Sequence, residues 1–339
     1  MIILIDGFWG SGKTTLRYLL DGHSELKVSP SQESIISSFE RNKYNSKFFS
    51  YKDVRLIRKF LVDSYYYNLE HETLGYFDHD VNRNKLPFNF YEFEKYWISK
   101  LMNIDQWTNE KILNVIYSSI IKFYYNCPEF PLDQKKVIVE DNKFSCHRFL
   151  LKELKDSKII IIKRAIPDIL SSLLSRKVIS NNYATEGYKK YNFNYLVRKR
   201  YFPILINNNH KITQNLRKDF PKRVYECDFK DLIYKTKDEM KKISEFLDIN
   251  FEDILLKPTH FGKDIAFNDG KEILNREKYT AKGTFSDYEI NLLQQFEKKF
   301  PKYNFLSLSF FDFIFINFLY ALRLFAIRTV KLLVNIKKI

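Results

Sequence analysis

Three apolar runs, none of them alternating, set the frame of this chain. Ile2–Ile5 is uninterrupted and is broken by Asp6 and Gly7. Val137–Val139 follows two lysines and is closed by Glu140 and Asp141, and Ile159–Ile162 ends in Lys163 and Arg164. A run with no polar alternation predicts a strand covered on both faces, the habit of parallel sheets. The segments behind the first and third runs switch to helical spacing: Thr15–Leu20 after one, Ile169–Arg176 after the other, with Pro167 suiting a first turn. Asp21 and Gly22 read as a helix end with Gly22 as its cap. Leu26–Val28 predicts a short second strand that stops at Ser29-Pro30, and Ser31–Ile36 reads as the start of the next helix. The expected fold class is therefore α/β, a P-loop-type parallel sheet flanked by helices.

Between 40 and 134 the pattern changes. This region is crowded with Tyr, Phe, Lys and Asn, and Val54–Asn68, Tyr91–Asn103 and Glu110–Tyr125 have helical spacing. It predicts a helical insertion covering one side of the sheet, as a lid over an acceptor pocket. Its aromatics, Trp97 and Trp107 included, read first as core. Tyr65–Tyr67 with His71, His79 and Asp80 could also form a metal or sugar platform. Residues 305–339 differ again, since the longest uncharged run there is Phe313–Leu322. That is too short to span a bilayer, which needs about 20 apolar residues. On a helical wheel Asp312, Asn317, Arg323, Arg328, Lys331 and Asn335 fall within about 160°. This predicts a C-terminal amphipathic helix lying on a membrane surface, or else docked on protein. The expected division is a domain at 1–304 and a separate tail at 305–339.

Composition adds a partner class. The 339 residues carry 56 Lys+Arg against 41 Asp+Glu, a net charge of +15, which favours anionic partners. The charge is spread without a basic block, so nucleic acid is not expected. Cys127, Cys146 and Cys227 show no metal-ligand spacing, which points away from a disulfide framework or zinc site. A core strand starting at residue 2 leaves no space for a signal peptide and predicts a cytoplasmic protein, peripheral at the cytosolic membrane face if the tail meets lipid.

The chemistry concentrates after the first strand. Gly7-Phe8-Trp9-Gly10-Ser11-Gly12-Lys13-Thr14 fits the phosphate-loop pattern G-x-x-x-x-G-K-[ST], with Thr15 next. Its glycines let successive N–H groups turn toward a polyanion. The following helix N-terminus adds partial positive charge and Lys13 adds a full one. Arg164 stands at the end of a second strand, and Ser172 lies eight residues on, in the helix; together they can grip one phosphate. Glu33 is expected at a strand's C-terminal edge beside the loop, where it is either chemical or a capping carboxylate. Asp141 is either a magnesium-holding carboxylate or a chain-turning cap.

The whole arrangement resembles the PAPS-dependent sulfotransferases. The likeness is carried by DGFWGSGKTTLRYLLDGHSELKVSPSQESI and by KIIIIKRAIPDILSSLLSR, with Asp168 four and Ser172 eight residues after Arg164. It continues in RVYECDFKDLIYKTKDEMKKISEFLDINFED and in Lys282-Gly283 of YTAKGTFSDYE. The resemblance covers about residues 1–304 outside the insertion. It implies PAPS as donor and no metal. Gly10, Ser11, Gly12, Lys13, Thr14 and Thr15 would hold the donor's 5′ end, and Arg164, Ser172, Lys282 and Gly283 its 3′-phosphate. It also makes Glu33 the general base, with His23 and His147 in reserve. The acceptor would be a hydroxyl or amine of a carbohydrate or lipid-linked molecule. One departure stands out. Gly10 occupies the place of the family's catalytic cation, while Lys13 precedes Thr14-Thr15. Either Lys13 takes over charge neutralisation, or the chain is a P-loop kinase or NTPase using magnesium-ATP.

Overall fold

The computed structural model describes residues 1–61, 90–127, 136–141, 146–175, 212–260 and 263–264, apart from Trp9 and Ser34, with isolated positions between 287 and 294. Five parallel strands form one sheet. They are β1 (Ile2–Gly7), β2 (Leu26–Glu33), β3 (Lys136–Asp141), β4 (Lys158–Lys163) and β5 (Val224–Asp228), in the order β2-β3-β1-β4-β5. β1 is central. The chain leaves it toward β2, fills the gap with β3, then crosses to β4 and β5. That reversal of direction puts a crevice at the carboxyl end of β1, where open α/β sheets bind their ligands.

The apolar runs are explained by two separate cores. Ile3, Ile5, Ile138, Ile160 and Ile162 meet α1 (Lys13–Leu20), the short helix α8 (Phe229–Tyr234) and α9 (Thr236–Leu247) on one face. Ile2, Leu4, Val137, Val139, Ile159 and Ile161 face the other core. There they meet α2 (Ile35–Arg41), α3 (Tyr51–Leu61), α4 (Phe90–Met102), α5 (Asn109–Tyr124) and α6 (His147–Glu153). Every second side chain thus enters a different core, which is why the runs show no polar alternation. The helix α7 (Ile166–Ser175) follows β4.

The insertion is helical as expected, with α3, α4 and α5 close to the three predicted stretches. Trp97 and Trp107 are buried, and the Trp107 indole N–H donates to Leu101 O at 3.2 Å. Both tryptophans are therefore core, as are Phe60, Phe93 and Tyr117, whereas Phe48, Tyr51 and Tyr91 are exposed. Tyr65–Tyr67, His71, His79 and Asp80 lie outside the described residues.

One expectation is corrected. β2 does not stop at Ser29-Pro30 but runs on to Glu33, and α2 starts only at Ile35. β2 is the edge strand, where a proline's missing donor costs no ladder bond, and a register shift between Val28 and Gln32 carries the chain past it. Glu33 ends its strand as expected, paired with Asp141, and β3 lies between that strand and β1. His23 is structural. Its Nδ1 accepts from the Glu25 N–H at 3.1 Å and its Nε2 faces Asn250 O at 2.8 Å, which ties the end of α1 to the segment after α9. The tail at 305–339 lies outside the described residues. Among the described ones, no helix is long and apolar enough to cross a membrane.

Candidate active site

The loop between β1 and α1 turns tightly, with Ser11 N–H bonded to Phe8 O at 2.9 Å. Gly10 (φ 78°) and Gly12 (φ 108°) both take backbone angles that side chains resist. Gly12 then opens α1, its carbonyl accepting from Leu16 N–H at 3.2 Å. Space matters as much as angle. A Cβ at Gly12 would overlap the Cε2 and Cδ2 carbons of the Phe229 ring, and one at Gly7 would lie 2.7 Å from Ile162 O. Gly12→Ala is therefore expected to lower stability by about 1–3 kcal/mol through overpacking, and to weaken donor binding with it. Thermal unfolding with and without PAP reads both effects. A variant with unchanged Tm and unchanged PAP response would show that the loop relaxes freely.

Lys13 is buried, at 4 % exposure. Its Nζ donates to Gly7 O at 2.9 Å and stands 3.9 Å from Asp6 Oδ1. Asp6 is fully buried; it accepts the Gly7 N–H at 2.5 Å and pairs with His147 Nε2. His147 is thus engaged with the base of the loop rather than open to an acceptor. Ser11 is buried within the loop, while Thr14 and Thr15 are half-buried in the first turn of α1.

β3 contributes a residue that sequence reasoning passed over. The spacing singles out Asp141, yet the wholly buried Glu140 reaches α1: Thr14 Oγ1 donates to its Oε1 at 3.1 Å, and Arg17 Nε stands 3.2 Å from its Oε2. Arg17 also reaches Ser29 O at 3.4 Å. Burial pushes the Arg17 guanidinium down. Glu140, with Tyr18 and Tyr124, pushes it up by more, so the group titrates above an ordinary arginine. The signal was available: Thr14 and Arg17 lie three apart on one helix face, opposite the end of the strand beside β1.

From the other side β4 delivers Arg164. Its Nη1 donates to Gly10 O at 2.6 Å, and its guanidinium lies 4.5 Å from the centre of the Phe229 ring. The two cation-bearing corners predicted from sequence therefore meet at one loop, because β4 pairs directly with β1. Ser172 lies half-buried on α7. Lys282 and Gly283 lie outside the described residues, as do the side chains of Glu33 and Asp141. Among the described residues no cluster of His, Cys, Asp or Glu forms a metal site.

A family model described as "Sulfotransferase family" matches residues 3–253, well over half of the chain. The chain belongs to the sulfotransferase family. As such it is a PAPS-dependent transferase, working with a nucleotide donor and an acceptor substrate. No curated protein matches it. Among solved structures, this sulfotransferase is similar to the sulfotransferase domain of the Synechococcus PCC 7002 olefin synthase, at 14 % identity and a TM-score of 0.47, over 88 % of this chain and 94 % of that one. The sulfotransferase domain of the curacin biosynthetic pathway gives 14 % and 0.47, over 88 % and 97 %. Retinol dehydratase in complex with androsterone and inactive cofactor PAP gives 13 % and 0.41, over 91 % and 82 %.

Proposed function

We propose that this sulfotransferase moves the sulfuryl group of PAPS to a hydroxyl or amine of a carbohydrate or lipid-linked acceptor. Lys13 and the N–H groups from Gly10 to Thr15 take the sulfate-bearing 5′ end. Arg164 and Ser172 take the 3′-phosphate, with Lys282-Gly283 closing over it. The observation that supports this reading is the 2.6 Å bond from Arg164 to the Gly10 carbonyl. It supports a reading in which one nucleotide spans both cations.

In the in-line step the acceptor oxygen or nitrogen bonds to sulfur as the sulfur–oxygen bond to the 5′-phosphate breaks, and PAP leaves with the electron pair. Lys13 offsets the charge growing on that leaving oxygen, and Glu33 takes the acceptor's proton. The helical insertion supplies acceptor specificity. The domain of residues 1–304 holds the chemistry, and the tail at 305–339 rests on the cytosolic face of a membrane.

A magnesium-ATP reading draws support from Lys13 and from Thr14, the position whose hydroxyl serves magnesium in nucleotide hydrolases. Against it stands Arg17, which already neutralises the carboxylate beside Thr14 at 3.2 Å. Ligand-induced thermal shifts separate the two. PAP is expected to stabilise the protein more than ADP, ATP or ATP with magnesium; a larger shift with magnesium-ATP, and none with PAP, would overturn the proposal. Arg164→Ala should then weaken PAP by about 1.5–3 kcal/mol, one to two powers of ten in Kd, while barely changing ADP. Equal losses for PAP and ADP would remove Arg164 from the 3′-phosphate.

A further inference from the structure

The Lys13 ammonium has two claims on it, and only one is the donor. Asp6 lies at the end of β1 with its carboxylate fully buried. The carboxylate oxygens are divided: Oδ1 accepts the Gly7 N–H and stands 3.9 Å from Lys13 Nζ, while Oδ2 faces His147 Nε2. Lys13 in turn donates to the carbonyl of the same Gly7. The first glycine of the loop is thus held at its N–H by Asp6 and at its C=O by Lys13. His147 opens α6, whose Leu150 and Leu151 belong to the core on the insertion side of the sheet. A carboxylate this deep persists only with compensating donors, and a buried ammonium needs an anion.

We propose that Asp6, steadied by His147, is a positioning residue that sets how far the Lys13 ammonium is drawn back from the phosphate cradle, so that Asp6 and the donor compete for it. The proposal rests on the reading that Lys13 serves the donor's 5′ end. Competition has a signature that a merely supporting carboxylate lacks. Removing the Asp6 charge should let the ammonium move toward the bound nucleotide, tightening PAP while misplacing the cation for the transfer step.

The test is a double-mutant cycle on the full chain, with PAP affinity by calorimetry and turnover with PAPS. Asp6→Asn is expected to bind PAP about fivefold tighter and to turn over about tenfold more slowly, a split between binding and rate that lost packing does not give. Both changes should vanish when Lys13→Ala is added. His147→Leu keeps the charge but removes its second donor, so Asp6 should hold Lys13 harder and weaken PAP by about threefold, again only while Lys13 is present. It serves as the measurement should Asp6→Asn fail to fold. Weaker or unchanged PAP binding in Asp6→Asn, or the same shifts with Lys13→Ala, would overturn the proposal alone. Wild-type affinity and turnover in Lys13→Ala itself would sink both this proposal and the placement of Lys13 on which it rests.

Discussion

Lys13→Ala is expected to lower kcat for sulfuryl transfer by about 10²–10³, the usual loss when one preorganised donor to a developing oxyanion is removed. The size follows from burial. Lys13 is 4 % exposed, so its charge acts with little solvent screening, and water cannot replace it at the same position. The loop holds no other candidate, because Lys13 is the one basic residue between Gly7 and Thr15. Lys13→Arg should rescue little: the pocket between Gly7 O and Asp6 Oδ1 fits a compact ammonium, and a planar guanidinium needs more room. Steady-state kinetics with saturating PAPS gives the answer. A kcat within a few fold of wild type would hand the leaving-group charge to a different residue.

Glu140→Ala should have the largest effect on stability. It would strand the Arg17 guanidinium, 6 % exposed, without the carboxylate that now stands 3.2 Å from its Nε. Breaking a buried pair from one side costs about 3–5 kcal/mol, which lowers Tm by on the order of 10 °C in a domain of this size. Both partners are buried, so no surface discount applies. Glu140→Gln keeps the shape and an acceptor for Thr14 but loses the charge, and it should fall most of the way. Removing both charges together, as Arg17→Met with Glu140→Leu, should recover much of the loss, since an apolar pair leaves no stranded ion. Chemical denaturation measures all three. Full stability in Glu140→Ala would mean that Ser29 O and the neighbouring tyrosines suffice for Arg17.

The sheet and its loop were legible because both are local signals. Ile2–Ile5, Val137–Val139 and Ile159–Ile162 read as doubly covered strands from hydrophobicity alone, and glycine spacing announced the loop. Helical spacing likewise located α3, α4 and α5. The end of β2 was not legible, because proline is a stop signal only for a strand with neighbours on both sides. Whether β2 had one neighbour or two depended on where β3 inserted. Glu140 was passed over for a similar reason. Adjacent acidic residues in a strand point to opposite faces, and which of them meets α1 depends on register. His147 and Asp6 lie 141 positions apart in the chain, and nothing local pairs them.

By itself the sequence determined the α/β class, the glycine turn with its lysine, and a second cationic corner at Arg164. Each of these follows from interactions within a few residues: strand burial, backbone freedom at glycine, a helix start after a strand. Only the tertiary structure decided that β4 lies against β1 and so brings Arg164 onto the Gly10 carbonyl. It alone decided that Glu140 serves Thr14 and Arg17, and that Lys13 is shared with a buried Asp6. Those partnerships depend on strand order and register, which long-range packing sets, and neither composition nor periodicity carries that information.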